Sequence, residues 1–86
     1  MHLVYILQSD HNGRWYVGSS DNPQRRLQEH NFGKHRSTKG YRPYQLIYTE
    51  TYDTKTEALK REKLIKKSGR IRKELKQKLL APSSNG

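Results

Sequence analysis

The stretch "HLVYILQSDHNGRWYVG", residues 2–18, contains two candidate strands joined by a turn signal. Its first part, "HLVYILQ", is apolar on both faces, which is typical of a central strand that is covered on both sides. Asn12-Gly13 is a strong hairpin signal, and "WYVG", residues 15–18, is the predicted returning strand. We predict an antiparallel hairpin here, with its second strand ending at Gly18.

Three helices are predicted after the hairpin. The first has Pro23 in its first turn. Its cap is one of three residues that suit that position: Ser20, Asp21 or Asn22. The second helix begins where Thr54 and Glu57 have the spacing of a capping box. The third covers "RIRKELKQKLL", residues 70–80, where apolar residues recur at helical spacing.

The segment "YQLIYTETY", residues 44–52, is predicted as a third strand. Strict alternation would place five of its residues on one face: Tyr44, Leu46, Tyr48, Glu50 and Tyr52. The resulting order, β-β-α-β-α-α, predicts an α+β fold in which helices flank a three-stranded antiparallel sheet. The length of 86 residues suits one domain. We place that domain at residues 1–80 and expect a disordered tail over residues 81–86.

The chain is strongly basic. Eighteen Lys and Arg against eight Asp and Glu give a formal charge of +10, and the pI is about 10.1. Such a balance favours nucleic acid as the partner. We expect no membrane association, because no apolar run approaches the ~20 residues of a spanning helix. The chain has no cysteine, which fits a reducing compartment and predicts a cytoplasmic location.

Glu62 stands out from the pattern of its helix. It shares a predicted apolar stripe with three other residues: Ala58, Leu59 and Ile65. A carboxylate that faces a core edge is costly unless it finds a cation, a metal or a hydrogen-bond network. The alternative is that Glu62 lies at the rim of the stripe and pairs with Lys66 at i+4. Spacing leaves both interpretations open.

Two further groups of residues could carry chemistry. Arg26 and His30 are neighbours at i and i+4 on the first helix, and can bind a phosphate and move a proton near neutral pH. Charge alone does not distinguish Arg26 from Arg25. Tyr5 and Tyr16 lie on the two hairpin strands, in a chain with six tyrosines and one phenylalanine. Amphipathic packing at a sheet edge is the alternative explanation for either tyrosine.

The arrangement resembles the GIY-YIG nuclease family over residues from about 2 to 80. The resemblance rests on five segments in order: "LVYIL", "YVG", "SSDNPQRRLQEHN", "RPYQLIYTE" and "EALKREKLIKK". It is greatest to the small stand-alone bacterial members, which are related to the catalytic domain of the nucleotide-excision-repair incision subunit. Leu3 replaces the first glycine of the family signature, and Ser19 stands where the repair subunit has a lysine.

The resemblance implies a role for each candidate. It selects Arg26 over Arg25 and makes Arg26 the residue that neutralises charge on the reacting phosphate. Glu62 becomes the sole protein carboxylate on a Mg²⁺ or Mn²⁺ ion. Tyr16 becomes a candidate general base or part of a relay through water. The remaining roles concern two side chains and a glycine: Tyr5 and His30 would orient the attacking water or relay its proton, and Gly18 would let the substrate phosphate approach the backbone.

The expected activity is metal-dependent hydrolysis of nucleic-acid phosphodiester bonds, with DNA favoured over RNA and a role in repair or recombination. The expected backbone contacts, besides Gly18, are basic: Lys34, Arg36, Lys39, Arg42 and Lys66. An unidentified protein partner could supply specificity. The first alternative is a basic nucleic-acid-binding module without strong activity. The second is a small scaffold protein of a ribonucleoprotein particle or a membrane surface.

Overall fold

The computed structural model describes residues 1–33 and 40–80 of the chain. Strand β1 (His2–Ser9) lies at the centre of a three-stranded antiparallel sheet in the order β2-β1-β3. Its neighbours are β2 (Trp15–Ser20) and β3 (Tyr44–Tyr52). The predicted α+β class and the central position of β1 are confirmed. The predicted tail lies outside the described residues.

The hairpin forms as predicted, with Asn12-Gly13 in its turn: Gly13 has a φ of 76°, and its N–H donates to the Ser9 carbonyl at 2.9 Å. One detail differs from the prediction. Strand β2 continues past Gly18, because Leu3 still pairs with Ser20. The prediction that Gly18 ends the strand was therefore wrong. Gly18 lies within the strand, opposite Tyr5.

Strand β3 has the predicted bounds but not the predicted faces. Its pairing with β1 shifts between Ile6 and Leu7, which leaves Ile47 as an extra residue in the ladder. Such a β-bulge reverses the side-chain alternation beyond it. Leu46 therefore packs on one face of the sheet, whereas Tyr48 packs on the other. The single face predicted from strict alternation was wrong at this point.

Helix α1 (Pro23–Asn31) begins where the cap signals predicted. Among the three candidate caps it is Asn22 whose side chain accepts from the Arg25 N–H, at 3.2 Å. Pro23 occupies the first turn, where a missing N–H costs nothing. After the helix, Gly33 has a φ of 79° and donates to the His30 carbonyl at 3.0 Å. The helix thus ends on a glycine in the left-handed region.

Helices α2 (Lys55–Lys67) and α3 (Gly69–Leu80) follow β3. A single residue, Ser68, separates the two helices. Thr54 caps α2 by accepting from the Glu57 N–H at 3.2 Å, as the capping-box spacing predicted. Ser68 ends α2, and its hydroxyl accepts from the Ile71 N–H at 3.1 Å. One serine therefore ends one helix and starts the next.

The core lies on both faces of the sheet. On one face, apolar residues of β1 and β2 pack against α2 and α3; the buried members are Val4, Ile6, Val17, Ala58, Ile65 and Leu75. On the other face, three buried residues pack with Leu27 of α1; these are Tyr5, Leu7 and Tyr44. The central residues of β1, from Leu3 to Leu7, are apolar on both faces, as suits a strand that is covered on both sides. Among the described residues, no helix combines the length and the apolar character needed to cross a membrane.

Candidate active site

A cleft of about 550 Å³ brings together side chains from both strands of the hairpin, from α1 and from α2. Its lining is His2, Tyr5, Tyr16, Gly18, Ser19, Ser20, Asp21, Arg26, His30, Lys55, Leu59 and Glu62. All five candidate catalytic residues are in this set, although the chain separates the first from the last by most of its length. The fold therefore places them around one space that is large enough for a phosphate and several waters.

Tyr5 lies across Gly18 on the adjacent strand. The two residues are cross-strand partners, and a Cβ at residue 18 would come within 2.6 Å of the Tyr5 hydroxyl and 2.8 Å of Cζ. Those distances are shorter than side-chain contacts allow, so only glycine leaves room for the ring. The glycine supports the position of Tyr5, which is a different role from the approach of a phosphate that the sequence suggested.

The phenol of Tyr5 is 3% exposed. Burial raises its pKa well above the ordinary value of 10, the nearby Tyr16 and Glu62 add to that rise, and Arg26 opposes it. The group is therefore a neutral hydroxyl at neutral pH. A neutral hydroxyl donates and accepts hydrogen bonds and can orient a water molecule, but it does not act as a base.

His30 is buried beside two tyrosine rings. Its ring centroid lies 4.3 Å from that of Tyr16 and 5.8 Å from that of Tyr44, with both pairs tilted. The imidazole is 1% exposed. This packing fixes the Tyr16 ring at the wall of the cleft. His30 also follows Arg26 by one helical turn, so α1 presents both residues to the same space.

The two adjacent arginines of α1 lie in different environments. Arg26 lines the cleft, with its side chain 39% exposed and its Nη1 atom 2.9 Å from Glu29 Oε1. Arg25 is absent from the lining and pairs with Asp21 at 3.4 Å. The position of Arg26 thus agrees with the choice that the family resemblance made between them.

Glu62 has the position that the second of the two interpretations described. Its Oε2 atom accepts from Lys66 Nζ at 2.7 Å, which is the predicted i+4 pair. The same carboxylate lines the cleft and is 15% exposed. The four residues of the predicted stripe lie in two environments. Ala58 and Ile65 are fully buried in the core, whereas Leu59 and Glu62 line the cleft. Glu62 therefore lies at the rim of the stripe.

A carboxylate on β3 binds the residue of α2 that precedes Glu62. Glu50 accepts from the hydroxyls of Tyr48 and Tyr52, at 2.6 and 2.7 Å. It also accepts from Arg61 Nε at 2.9 Å and Nη2 at 3.2 Å. Because Arg61 directly precedes Glu62, this bidentate bond attaches to β3 the turn of α2 that carries Glu62.

Glu62 fits a hard divalent cation. Within residues 1–33 and 40–80, no three His, Asp or Glu side chains gather into a ready-made metal site. Mg²⁺ does not need one, because it keeps several waters and often takes only one or two carboxylates together with substrate phosphates. In the described part of the chain, Glu62 Oε1 has no hydrogen-bond partner. An oxygen ligand beside an open space is what such an ion requires.

The basic residues expected to contact nucleic acid are not part of the cleft lining where the structure describes them. Lys34, Arg36 and Lys39 lie outside the described residues. Arg42 is exposed and is not part of the cleft lining, and Lys66 is half-exposed and paired with Glu62.

Six residues of the cleft lining were not predicted as site residues: His2, Ser19, Ser20, Asp21, Lys55 and Leu59. Lys55 is one of many lysines, so no local signal in the sequence distinguishes it.

The fold and the residues around this cleft define a small nuclease-type domain. A family model described as the GIY-YIG catalytic domain matches residues 1–75. The chain belongs to the GIY-YIG family, as the resemblance predicted. Membership implies nuclease-type activity and binding of nucleic acid.

Similar proteins carry names that state no activity. A UPF0213 protein of Halobacterium salinarum is 41% identical over 75 residues, which are 86% of this chain and 96% of that protein. The UPF0213 protein YazA of Bacillus subtilis is 39% identical over 75 residues, which are 86% and 75% of the two chains. A solution NMR structure of a UPF0213 protein from Bacillus halodurans matches with a TM-score of 0.57 and 35% identity, covering 98% and 90%.

Proposed function

We propose that this protein hydrolyses phosphodiester bonds of nucleic acid with the help of a divalent metal ion, and that DNA is its substrate. One observation carries the proposal. Side chains that can bind a metal, neutralise a phosphate and move a proton come from four separate elements and line the same cleft. The charge of +10 supports a polyanionic substrate.

Glu62 and Arg26 bind the reacting phosphate group in this proposal. Glu62 would hold Mg²⁺ or Mn²⁺ through its carboxylate, and such an ion would supply positive charge that stabilises the reacting phosphate and the leaving oxygen. Arg26 approaches the phosphate from α1, where its planar guanidinium can donate two parallel hydrogen bonds. It neutralises the negative charge that grows on the phosphate oxygens as the water attacks. In the free protein, Glu29 keeps Arg26 in position at 2.9 Å.

The tyrosines and His30 act on the attacking water. Hydrolysis joins the water oxygen to phosphorus, breaks the bond to the leaving oxygen, and requires that the water lose a proton. Tyr16 takes that proton as a phenolate, or it acts as a relay, in which its hydroxyl oxygen accepts the proton while its own proton passes through a second water to the leaving oxygen. The buried Tyr5 hydroxyl stays neutral and orients the water, and His30 holds the Tyr16 ring and completes the relay.

The rest of the proposal concerns the nucleic-acid contacts outside the cleft, the cellular location, the pathway and the source of specificity. Basic residues outside the cleft contact the nucleic-acid backbone; these are Lys34, Arg36, Lys39, Arg42 and Lys66, with Gly18 supporting the site. Residues 1–80 act as one unit in the cytoplasm, in repair or recombination of DNA. A domain of this size offers little surface for reading sequence, so a partner protein or the shape of the substrate supplies specificity.

A cleavage assay tests the proposal. Labelled DNA and RNA substrates that are single-stranded, nicked or branched are incubated with Mg²⁺, Mn²⁺ or EDTA. The expected result is metal-dependent cleavage by the parent protein, loss of it in Glu62→Gln, and retention in Glu74→Gln. The control removes the same charge from α3, outside the cleft. Cleavage that survives in Glu62→Gln, or none by the parent on any substrate, would overturn the enzyme proposal.

The second candidate function is a nucleic-acid-binding module without strong activity. The Glu62–Lys66 pair favours it, because a lysine at 2.7 Å satisfies the carboxylate without a metal. This candidate predicts that the parent and Glu62→Gln bind nucleic acid alike and that neither cleaves it. The assay above therefore separates the two functions.

A further inference from the structure

The charged side chains around the cleft are not equally neutralised. Three of them have a partner of opposite charge: Asp21 with Arg25 at 3.4 Å, Arg26 with Glu29 at 2.9 Å, and Glu62 with Lys66 at 2.7 Å. Lys55 lines the same cleft. In the described part of the chain it has neither an ion pair nor a hydrogen bond from its side chain. Among the described residues, the Lys55 ammonium is therefore the charged group of this lining that can bind a ligand without first breaking an ion pair.

Lys55 and Glu62 stand on the same face of α2. Lys55, Leu59 and Glu62 follow one another at i, i+4 and i+7, and all three line the cleft. At a rise of about 1.5 Å per residue, the Cα atoms of Lys55 and Glu62 lie about 10 Å apart along the helix axis. The cleft therefore extends along α2 from the carboxylate that would hold the metal to an unpaired ammonium group.

His2 is a second donor at the Lys55 end of the cleft. The strand register pairs His2 with Tyr52 at the end of β3, and α2 begins shortly afterwards at Lys55. His2 also lines the cleft. An imidazole carries at least one N–H in either protonation state, so it can donate to a phosphate oxygen across the whole neutral range. Two elements, β1 and α2, thus contribute donors to the same cleft.

We propose that Lys55 and His2 form a second phosphate subsite, which binds a backbone phosphate of the same nucleic-acid strand that lies at Glu62. The proposal rests on the proposed function in one respect, that nucleic acid occupies the cleft. Successive phosphates of a strand are about 3.4 Å apart along the duplex axis. The subsite therefore takes a phosphate one to three nucleotides from the one at Glu62, depending on the extension of the lysine.

Such a subsite would fix the line along which the bound strand lies. A single phosphate at Glu62 lets the strand leave the cleft in several directions, whereas a second contact at a fixed offset leads it along α2. It would also require that the substrate extend past the phosphate at Glu62 toward Lys55. A strand that stops short of the subsite should bind more weakly by one phosphate contact.

Binding in EDTA tests the subsite without any need for cleavage. Affinity for a short single-stranded DNA is measured between about 50 and 200 mM salt for the parent, Lys55→Gln, His2→Ala and Lys60→Gln. Lys60 is the matched control, because it is exposed on the same helix and does not line the cleft. We expect Lys55→Gln to flatten the log–log salt slope by about 0.7, the value of one contact on a single strand. His2→Ala should weaken binding with a smaller change in slope, and Lys60→Gln should leave the slope close to that of the parent.

The position of the phosphate is mapped with DNA strands in which one phosphate at a time is replaced by a neutral methylphosphonate. In the parent, the replacement should weaken binding at the subsite position, and this effect should disappear in Lys55→Gln. A strand with a terminal 5′-phosphate, compared with one that lacks it, shows whether an end phosphate fills the subsite instead; if only the end phosphate matters, the backbone proposal is wrong.

Three outcomes separate this inference from the proposed function. Equal effects of Lys55→Gln and Lys60→Gln, in a protein that cleaves DNA, would overturn the subsite alone. A mapped subsite in a protein that never cleaves would overturn the nuclease proposal and keep the subsite. A parent protein that binds no nucleic acid would overturn both.

Discussion

Tyr5 lies so close over Gly18 that a methyl group on residue 18 would stand 2.6 Å from the Tyr5 hydroxyl. The two residues are partners across β1 and β2, and Tyr5 fills the space that the missing side chain leaves. The ring cannot withdraw easily, because it is 3% exposed and packs in a cluster with Leu7 and Tyr44. The position of one catalytic candidate therefore depends on the absence of a Cβ on the next strand.

Gly18→Ala should displace the Tyr5 ring and destabilise the protein by about 1–3 kcal/mol, the usual cost of overpacking. In a Tyr5→Ala background the same substitution should cost much less, because the clash has been removed. A double-mutant cycle measured by urea unfolding gives the coupling. Additive effects would mean that residue 18 is sensitive for a reason other than its contact with Tyr5.

The Glu50 network should make stability depend on pH in the acid range. Burial alone would raise the pKa of Glu50, but hydrogen bonds from Arg61, Tyr48 and Tyr52 outweigh it and hold the pKa below the ordinary value of 4.5. A depressed folded-state pKa stabilises the protein above the unfolded pKa, and this contribution is lost as pH falls through the folded one. Glu50→Gln should cost about 1–3 kcal/mol at pH 7, as for bonds to a charged group.

That difference from the parent should shrink below about pH 4.5. Urea unfolding at a series of pH values measures it, with Glu74→Gln as the control for loss of an exposed carboxylate that is 63% accessible. A difference that stays constant down to pH 3 would show that folding does not lower the pKa of Glu50, which would contradict this account of the network.

Lys66 should compete with a metal ion for Glu62, because its ammonium lies 2.7 Å from Oε2. Lys66→Gln should raise the apparent affinity for Mn²⁺ by about two- to threefold, which corresponds to the ~0.5 kcal/mol of a partly exposed ion pair. Calorimetric titration without nucleic acid measures it. Lys63→Gln removes an equal charge from an exposed position of α2. If both variants shift the affinity equally, the effect is one of net charge and not of the pair.

Arg26→Ala and Tyr16→Phe should each reduce the rate of cleavage, while Arg25→Ala should not. Loss of a general base typically costs 10²–10⁴ in rate, and Tyr16→Phe keeps the ring that packs on His30. Arg26→Ala should also weaken binding, because it removes a phosphate contact. The two losses should not add, since both residues serve one transition state. A loss for Arg25→Ala as large as for Arg26→Ala would remove the distinction that the cleft makes between them.

Local signals in the sequence predicted most of the fold. The hairpin follows from an apolar run and Asn12-Gly13, and the helix starts follow from Asn22 and Thr54, whose side chains accept the first free N–H groups. These features depend on neighbouring residues only. The bulge at Ile47 could not be predicted, because it arises from pairing with β1, and a strict period of two was the only rule available.

The site was predicted in part for a similar reason. Glu62 was noticed because a carboxylate interrupts an apolar stripe, and Arg26 because it precedes His30 by one helical turn, although only the family resemblance distinguished it from Arg25. Lys55 and His2 give no such signal. A lysine at the start of a helix and a histidine at the start of a strand come to line the same cleft only when β3 pairs with β1. Gly18 was noticed, but its role depends on its cross-strand partner.

The rate of cleavage by Glu62→Gln under single-turnover conditions tests the central claim most directly. Labelled DNA is mixed with excess protein and Mn²⁺, for the parent, Glu62→Gln and Glu74→Gln purified in parallel. A metal ion supplies several kcal/mol of transition-state stabilisation, so removing its carboxylate should slow cleavage by at least about 100-fold while binding in EDTA is retained. The Glu74→Gln control should cleave at the rate of the parent. Equal rates for the parent and Glu62→Gln would contradict the account.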